Sequence, residues 1–422
     1  METQNEISTI SNKIGYKDVF KQKEYMKLIA ANVINRFGDS IDSIAFTWLV
    51  FSLTNSAAWS AIIFGVNRVP TIFLQPFAGV LVENMNKKLI MVLADIIRGI
   101  CVSMVAVLFL LKLLNPWILL GFTIVISSAE AFRNPAGISI LPRILDKNCY
   151  DFGLSLNSSL GSLVELIGLA LAGAIIGFFG LHTAILVDAV TFFGSALIIL
   201  LIHIRKDKIN HVEMNLKEYL ETLKGGIYYL KRNKVISNFI FLAMVTNAII
   251  VPLNSLLAPL IKNILMQSEY MLSAISFSIS AGMFLGAILY PYISSRLKTR
   301  GIVYIAGTSI SLYYLILVLG GILNTYVVPL YIICIVSSLI MGSTVALLIS
   351  SINIQFMKQV EPDYLARAGA ILNAGFVGAI PVASFAVSII TELLPISTLF
   401  FIVGLVGIAF FLVVYISKMQ FE

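Results

Sequence analysis

The chain has 422 residues, 59% of them apolar and only 12% charged, with a net charge of +7 and a mean hydropathy of +0.94. A soluble core cannot absorb so much apolar surface at about half the usual charged fraction, which excludes an ordinary soluble enzyme or binding module and leaves the bilayer as solvent. The basic residues are spread over short segments rather than gathered on one face, so they argue against a nucleic-acid partner and report topology instead.

Residues 1–24 are polar and lysine-rich, with no apolar h-region or small-residue cleavage site, and read as a cytosolic tail rather than a signal peptide. Apolar windows of the roughly 20 residues that span about 30 Å of hydrocarbon then recur, at 27–52, 56–82, 88–112, 116–141, 152–179, 181–203, 235–261, 270–294, 301–322, 326–351, 366–391 and 395–417. The first six form a predicted bundle over 25–203 and the last six a second over 235–422. Between them, 204–234 is a polar linker carrying Arg205, Lys206, Lys208, Lys231, Arg232 and Lys234. Within it Leu216, Leu220, Leu223, Ile227 and Leu230 are spaced as in an amphipathic surface helix, and a plain solvated connector fits equally.

With the N-terminus inside, Lys87, Lys88, Arg143, Lys147, the linker, Arg296, Lys298, Arg300, Lys358 and Lys418 share one side, and only Lys112 and Lys262 fall on the other. That bias predicts a multi-pass protein of the bacterial cytoplasmic membrane with both termini cytoplasmic. Ala31-x-Val33-x-Asn35 recurs 212 residues later as Ala243-x-Val245-x-Asn247, and Asp42-Ser43 falls on Asn254-Ser255 at the same offset. The expected fold is therefore all-α and integral to the membrane: twelve transmembrane helices in two parallel six-helix bundles, with a substrate site between them.

Ionisable groups inside a span cost several kcal/mol unless paired or wet, so they mark function by default. Span one carries Asn32, Asn35, Arg36, Asp39, Asp42 and Ser43 within an arc of roughly 120° at 100° per residue. Arg68 on span two lies at similar depth, and pairing of Asp39 or Asp42 with Arg68 is predicted to form a polar seam, with Asn35, on the cavity wall. Glu130, Arg133 and Asn134 stack on one face of span four, and Glu165 lies at comparable depth on span five. Arg133 is expected to neutralise Glu130 or Glu165 and leave the other to exchange protons. Static buried ion pairs holding the helices in register are the alternative for each residue. The second half offers amides and aromatics, with Asn247, Asn254 and Asn373 expected to line the cavity beside Tyr313, Tyr314 and Asn353. Such a lining suits an apolar or amphipathic substrate, and interhelical hydrogen bonding is the alternative role of the amides.

The segment Gly79-Val-Leu81-Val-Glu83-Asn84-Met-Asn-Lys87-Lys88, followed by Asp95-Ile-Ile-Arg98-Gly99, resembles the signature loop of the major facilitator superfamily. Glu83 stands for the usual aspartate, and Asn84 and Asn86 for arginine and glycine. The resemblance implies that Gly79, Glu83, Lys87, Lys88, Asp95 and Arg98 serve as a conformational latch across the helix ends. Leu141-Pro142-Arg143, Asn157-Ser158-Ser159, Ile167-Gly168 and Leu186-Val-Asp188-Ala-Val-Thr191-Phe192 look like the drug exporter branch that holds macrolide efflux proteins and the enterobactin exporter. Gly168 and Gly173 fit the antiporter motif of span five, with Leu169 where proline is usual and Pro381 opposite it at the 212 offset. Arg133-x-x-x-Gly137 loosely matches the span-four motif with a proton-linked arginine.

No P-loop, hydrolase triad or dinucleotide fingerprint is present, and Cys101, Cys149 and Cys334 show no metal-ligand spacing, so no enzyme, cofactor, metal or disulfide is expected. The expectation is a monomeric secondary transporter in membrane lipid that exchanges protons for an amphipathic small molecule such as a macrolide-like drug or a siderophore. A facilitator importing a nutrient and a transport-inactive membrane sensor are the alternatives.

Overall fold

The computed structural model describes residues 15–83, 85–204, 234–360 and 365–417, so the predicted linker helix over 216–230 lies outside the described residues. After a short α1 (Tyr16–Phe20) come α2 (Lys23–Thr54), α3 (Ala57–Glu83), α4 (Lys87–Leu110), α5 (Pro116–Ser139), α6 (Tyr150–Phe179) and α7 (Leu181–Leu200). The second half holds α8 (Lys234–Asn263), α9 (Glu269–Ser294), α10 (Thr299–Gly320), α11 (Val327–Gln359), α12 (Leu365–Leu393) and α13 (Ile396–Ile416).

Ten of these helices are long and apolar enough to cross a membrane. The two long helices that fall short are α2 and α5, which carry Arg36, Asp39 and Asp42, and Glu130 and Arg133, respectively. Helix bounds follow the predicted windows closely except in α11, which continues eight residues past 351 to Gln359.

The breaks between windows have local causes. Asn86 and Asn115 cap α4 and α5, their side chains accepting from the backbone N–H of Leu89 at 3.2 Å and Ile118 at 2.9 Å, and Pro116 opens α5, where no N–H is needed. Gly180, at φ +85°, joins α6 to α7 in a conformation that favours a residue without Cβ. Lys27 and Lys88 donate to Leu201 O and Ile202 O, closing the carbonyl end of α7 with positive charge.

The repeat read from sequence is carried by the helices themselves. Ala57, Lys87 and Pro116 open α3 to α5, and Glu269, Thr299 and Val327, 212, 212 and 211 residues later, open α9 to α11. In the first half α2 packs on α6 and α7, α4 on α5 and α7, and α3 on α5; in the second, α9 and α10 pack on α11, α10 on α13, and α8 on α12. The halves meet chiefly along α3–α12 and α6–α9. At the end remote from the termini the α6–α9 seam is tight: the backbone N–H of Gly173 donates to Ser273 Oγ at 2.6 Å, and Gly177 leaves space that the Tyr270 hydroxyl fills.

Candidate functional site

A chain of polar contacts crosses the first half. Asp95 of α4, fully buried, accepts from Arg133 Nε of α5 at 2.5 Å and from Ser195 Oγ of α7 at 2.7 Å. The Asn35 amide of α2, oriented to satisfy both neighbours, accepts from Arg133 Nη2 at 2.9 Å and donates to Asp39 Oδ2 at 3.2 Å. Asp39 Oδ1 in turn accepts from Arg98 Nη2 at 2.9 Å, and the Arg98 guanidinium lies 4.1 Å from the centre of the Phe192 ring. Asp95, Arg133, Asn35, Asp39 and Arg98 thus form one continuous series from the bundle interior to the cavity.

Asp188 of α7 lies beside this series, 1% exposed, its carboxylate accepting from Thr191 Oγ1 at 3.3 Å and packed where a Cβ on Gly38 would stand. It belongs to the polar interior although the charge reading of the sequence passed over it. The signal was available, because Asp188 is the one ionisable side chain in α7 apart from His182 near its start.

Several predicted pairings are corrected. The seam partner of Asp39 is Arg98, one helix further on, and not Arg68; α2 packs mainly on α6 and α7, and α4 lies against α7. Arg133 neutralises Asp95 rather than Glu130 or Glu165, and Glu165 is paired with Arg36 across α2–α6 at 3.2 Å. Asp95 and Arg98 are therefore drawn out of the predicted latch into the buried series. Of the remaining latch residues, Lys87 is buried, Lys88 is bound to the end of α7, and Gly79 has open space on its Cβ side. The Glu83 side chain and Asn84 lie outside the described residues.

Gly168 and Gly173 serve different contacts: a Cβ on Gly168 would meet Ser40 of α2, whereas one on Gly173 would meet Ser273 of α9 in the other half. Asn247 donates to Phe376 O at 3.2 Å and ties α8 to α12, the interhelical role rather than a cavity one. Asn254 faces the cavity, and the Asn373 side chain lies outside the described residues.

Two adjoining cavities of about 340 and 390 Å³ share Arg36, Asp39, Arg98 and Glu130 in their walls. The first adds Asp42, Arg68 and Asn254 with an apolar wall of Phe46, Ile63, Phe64 and Ile126; the second runs past Asn32, Asn134 and Asn157 toward the end that carries the termini. Among the described residues, Asp42, Glu130 and Arg68 face this space with no ion-pair partner.

Known proteins bear out the architecture. Macrolide efflux protein A of Enterococcus faecalis is 21% identical over 316 residues, covering 74% of this chain and 95% of that protein. A protein of Bacillus subtilis named as its proposed bacilysin exporter, BacE, is 28% identical over 58% of this chain and 60% of its own length. Among solved structures, a mutant form of the nucleoside transporter NupG superposes with a TM-score of 0.75 at 13% identity, covering 93% of this chain and 98% of that one, a likeness of fold alone. The family model described as transmembrane secretion effector matches residues 18–421, and the chain belongs to that family of major facilitator membrane transporters.

Proposed function

We propose that this transporter is a proton-coupled exporter of an amphipathic small molecule, working by alternating access in the bacterial cytoplasmic membrane with both termini in the cytoplasm. The observation that carries the reading is Glu130. It stands in the shared wall of both cavities with no ion-pair partner among the described residues, whereas the nearby charges are committed: Arg133 to Asp95, Arg98 to Asp39 and Arg36 to Glu165. A carboxylate free of a fixed partner is the group at which a proton can be taken up and released as the site changes sides.

The efflux relatives support the outward direction. The uncharged wall contributed by α8, with Asn254 and Ser255, supports a substrate bound largely through apolar surface. Asp39–Arg98 couples the cavity to the interior, since a change of charge at Glu130 alters the field at both members and, through Asn35, at Arg133.

The test is a deletion strain and its complemented twin, loaded with a panel of macrolides and siderophores and followed for retained compound with and without a protonophore. Complementation should lower retention of at least one compound, and the protonophore should restore it. Retention that is the same in both strains for every compound overturns export, and retention insensitive to the protonophore overturns coupling. Glu130→Gln should abolish uphill efflux while sparing downhill exchange; Glu165→Gln should impair both, because it strands Arg36.

A further inference from the structure

Three charged side chains in the cavity wall, Arg68, Asp42 and Glu130, have no ion-pair partner among the described residues, and the function proposed above assigns Glu130 to proton exchange. Arg68 projects from α3 and is exposed to the cavity, and Asp42 projects from α2 into the same space; neither makes an ion pair or hydrogen bond with the described residues. The guanidinium cannot lose its proton, so at this depth it depends on water or a bound anion. Of the other charges in this wall, Arg36 is paired with Glu165 and Arg98 with Asp39. With Glu130 set aside for proton exchange under that proposed function, the unpaired groups left for a ligand are one cation, Arg68, and one carboxylate, Asp42, flanked by Phe46, Phe64 and Ile126.

We propose that the substrate is an amphipathic zwitterion, its anionic group held by Arg68 and its ammonium by Asp42, with its apolar body against the aromatic wall. The inference rests on the reading of this cavity as the transport site. A simple cation would satisfy Asp42 and leave Arg68 desolvated and unmatched; a simple anion would do the reverse. A site with two unmatched charges gains from a ligand that supplies both partners and discriminates against analogues that lack one. The second half reinforces the assignment, because Asn254 and Ser255 add hydrogen bonds but no charge that would favour a net ion.

The test uses three matched probes and calorimetric titration of the purified full chain in detergent at neutral pH. They are 2-naphthylalanine, a zwitterion; 2-naphthylethylamine, which lacks the carboxylate; and 3-(2-naphthyl)propanoate, which lacks the amine. The zwitterion should bind at least about tenfold more tightly than either. Arg68→Gln should bring naphthylalanine and the amine to parity, and Asp42→Asn should bring naphthylalanine and the propanoate to parity. Each readout is a ratio within one preparation, so partial misfolding of a variant does not mimic it. Wild-type protein that binds the amine or the propanoate as well as naphthylalanine, or that fails to bind naphthylalanine, overturns the proposal, as does discrimination that survives both substitutions. No gradient enters the measurement. A chain that expels compounds from cells yet prefers the amine would refute the zwitterion and leave export standing.

Discussion

Where α4 of the first half places Asp95 beside Arg133 and Ser195, the position 212 residues later on α10 is Gly307, and the space a side chain would fill there is taken by the ring of Phe411. Arg98 has Ile310 as its counterpart, fully buried in the second core, and Asp42 has Asn254, which faces the same cavity. Around these positions the second half is held by Tyr313, bonded to Ser338 Oγ at 2.7 Å, and Tyr314, which donates to Ile249 O and accepts from the Leu253 N–H. Two copies of one helix arrangement thus fold with quite different interiors. Ion pairs are not what the arrangement requires, and replacing buried pairs by packed apolar groups is often neutral or stabilising. The charges of the first half therefore call for an explanation other than the fold, and the proposed function supplies one.

The sharpest way to break this contrast is to put a charge into the second half. Gly307→Asp buries a carboxylate with no cation and displaces Phe411, and membrane accumulation of a fluorescent fusion should fall to near background. Near-normal accumulation would mean that the second interior tolerates charge and that the halves differ less than they look. Next in size is Asp95→Asn, which strands Arg133 and should destabilise by about 3–5 kcal/mol, with Arg133→Gln added on top recovering part of the loss. Additive losses in thermal unfolding would show that the two are not coupled.

A smaller effect is expected at the seam between the halves. Gly173→Val pushes against Ser273 and should cost about 1–3 kcal/mol as an overpacked contact. It should also raise the rate at which a single cysteine at Tyr270 reacts with an impermeant thiol reagent; an unchanged rate would mean that the seam does not open. The least change is expected from Tyr314→Phe, which removes one hydroxyl from two backbone partners, at about 1–2 kcal/mol in the same unfolding measurement.

The spans were legible because each needs its own length of apolar residues, and the offset of 212 was legible because it survives at Asn35/Asn247 and Asp42/Asn254. That Asp39, Arg133 and Glu165 lie within long helices of the first half could be read in the same way. Their partners could not, because a partner is set by which helices lie side by side and how each is rotated. Pairing Arg68 with Asp39 or Asp42 requires helices adjacent in sequence to pack closely, whereas α2 packs chiefly on α6 and α7. Asp95 and Arg98 sit within a resemblance to a surface loop, which drew them toward the helix ends although α4 buries both. Asp188 was legible as the one acid in an apolar helix, but its contacts with Thr191 and the backbone at Gly38 depend on how α7 packs against α2.

The two helices too polar to qualify as spans, α2 and α5, bear on how the protein is made. On insertion scales each Asp or Arg near the centre of a helix opposes entry into lipid by about 2.5–3.5 kcal/mol, and α2, with Arg36, Asp39 and Asp42 aboard, precedes α4 and α6 in the chain. The partners of Asp39 and Arg36 come from Arg98 of α4 and Glu165 of α6, which are synthesised about 60 and 130 residues later. Until they arrive α2 carries uncompensated charge, so its stable residence in the bilayer depends on helices not yet translated. Biogenesis of the first half is then a cooperative event that waits for α6, and the insertion machinery must shelter α2 for the time that synthesis takes.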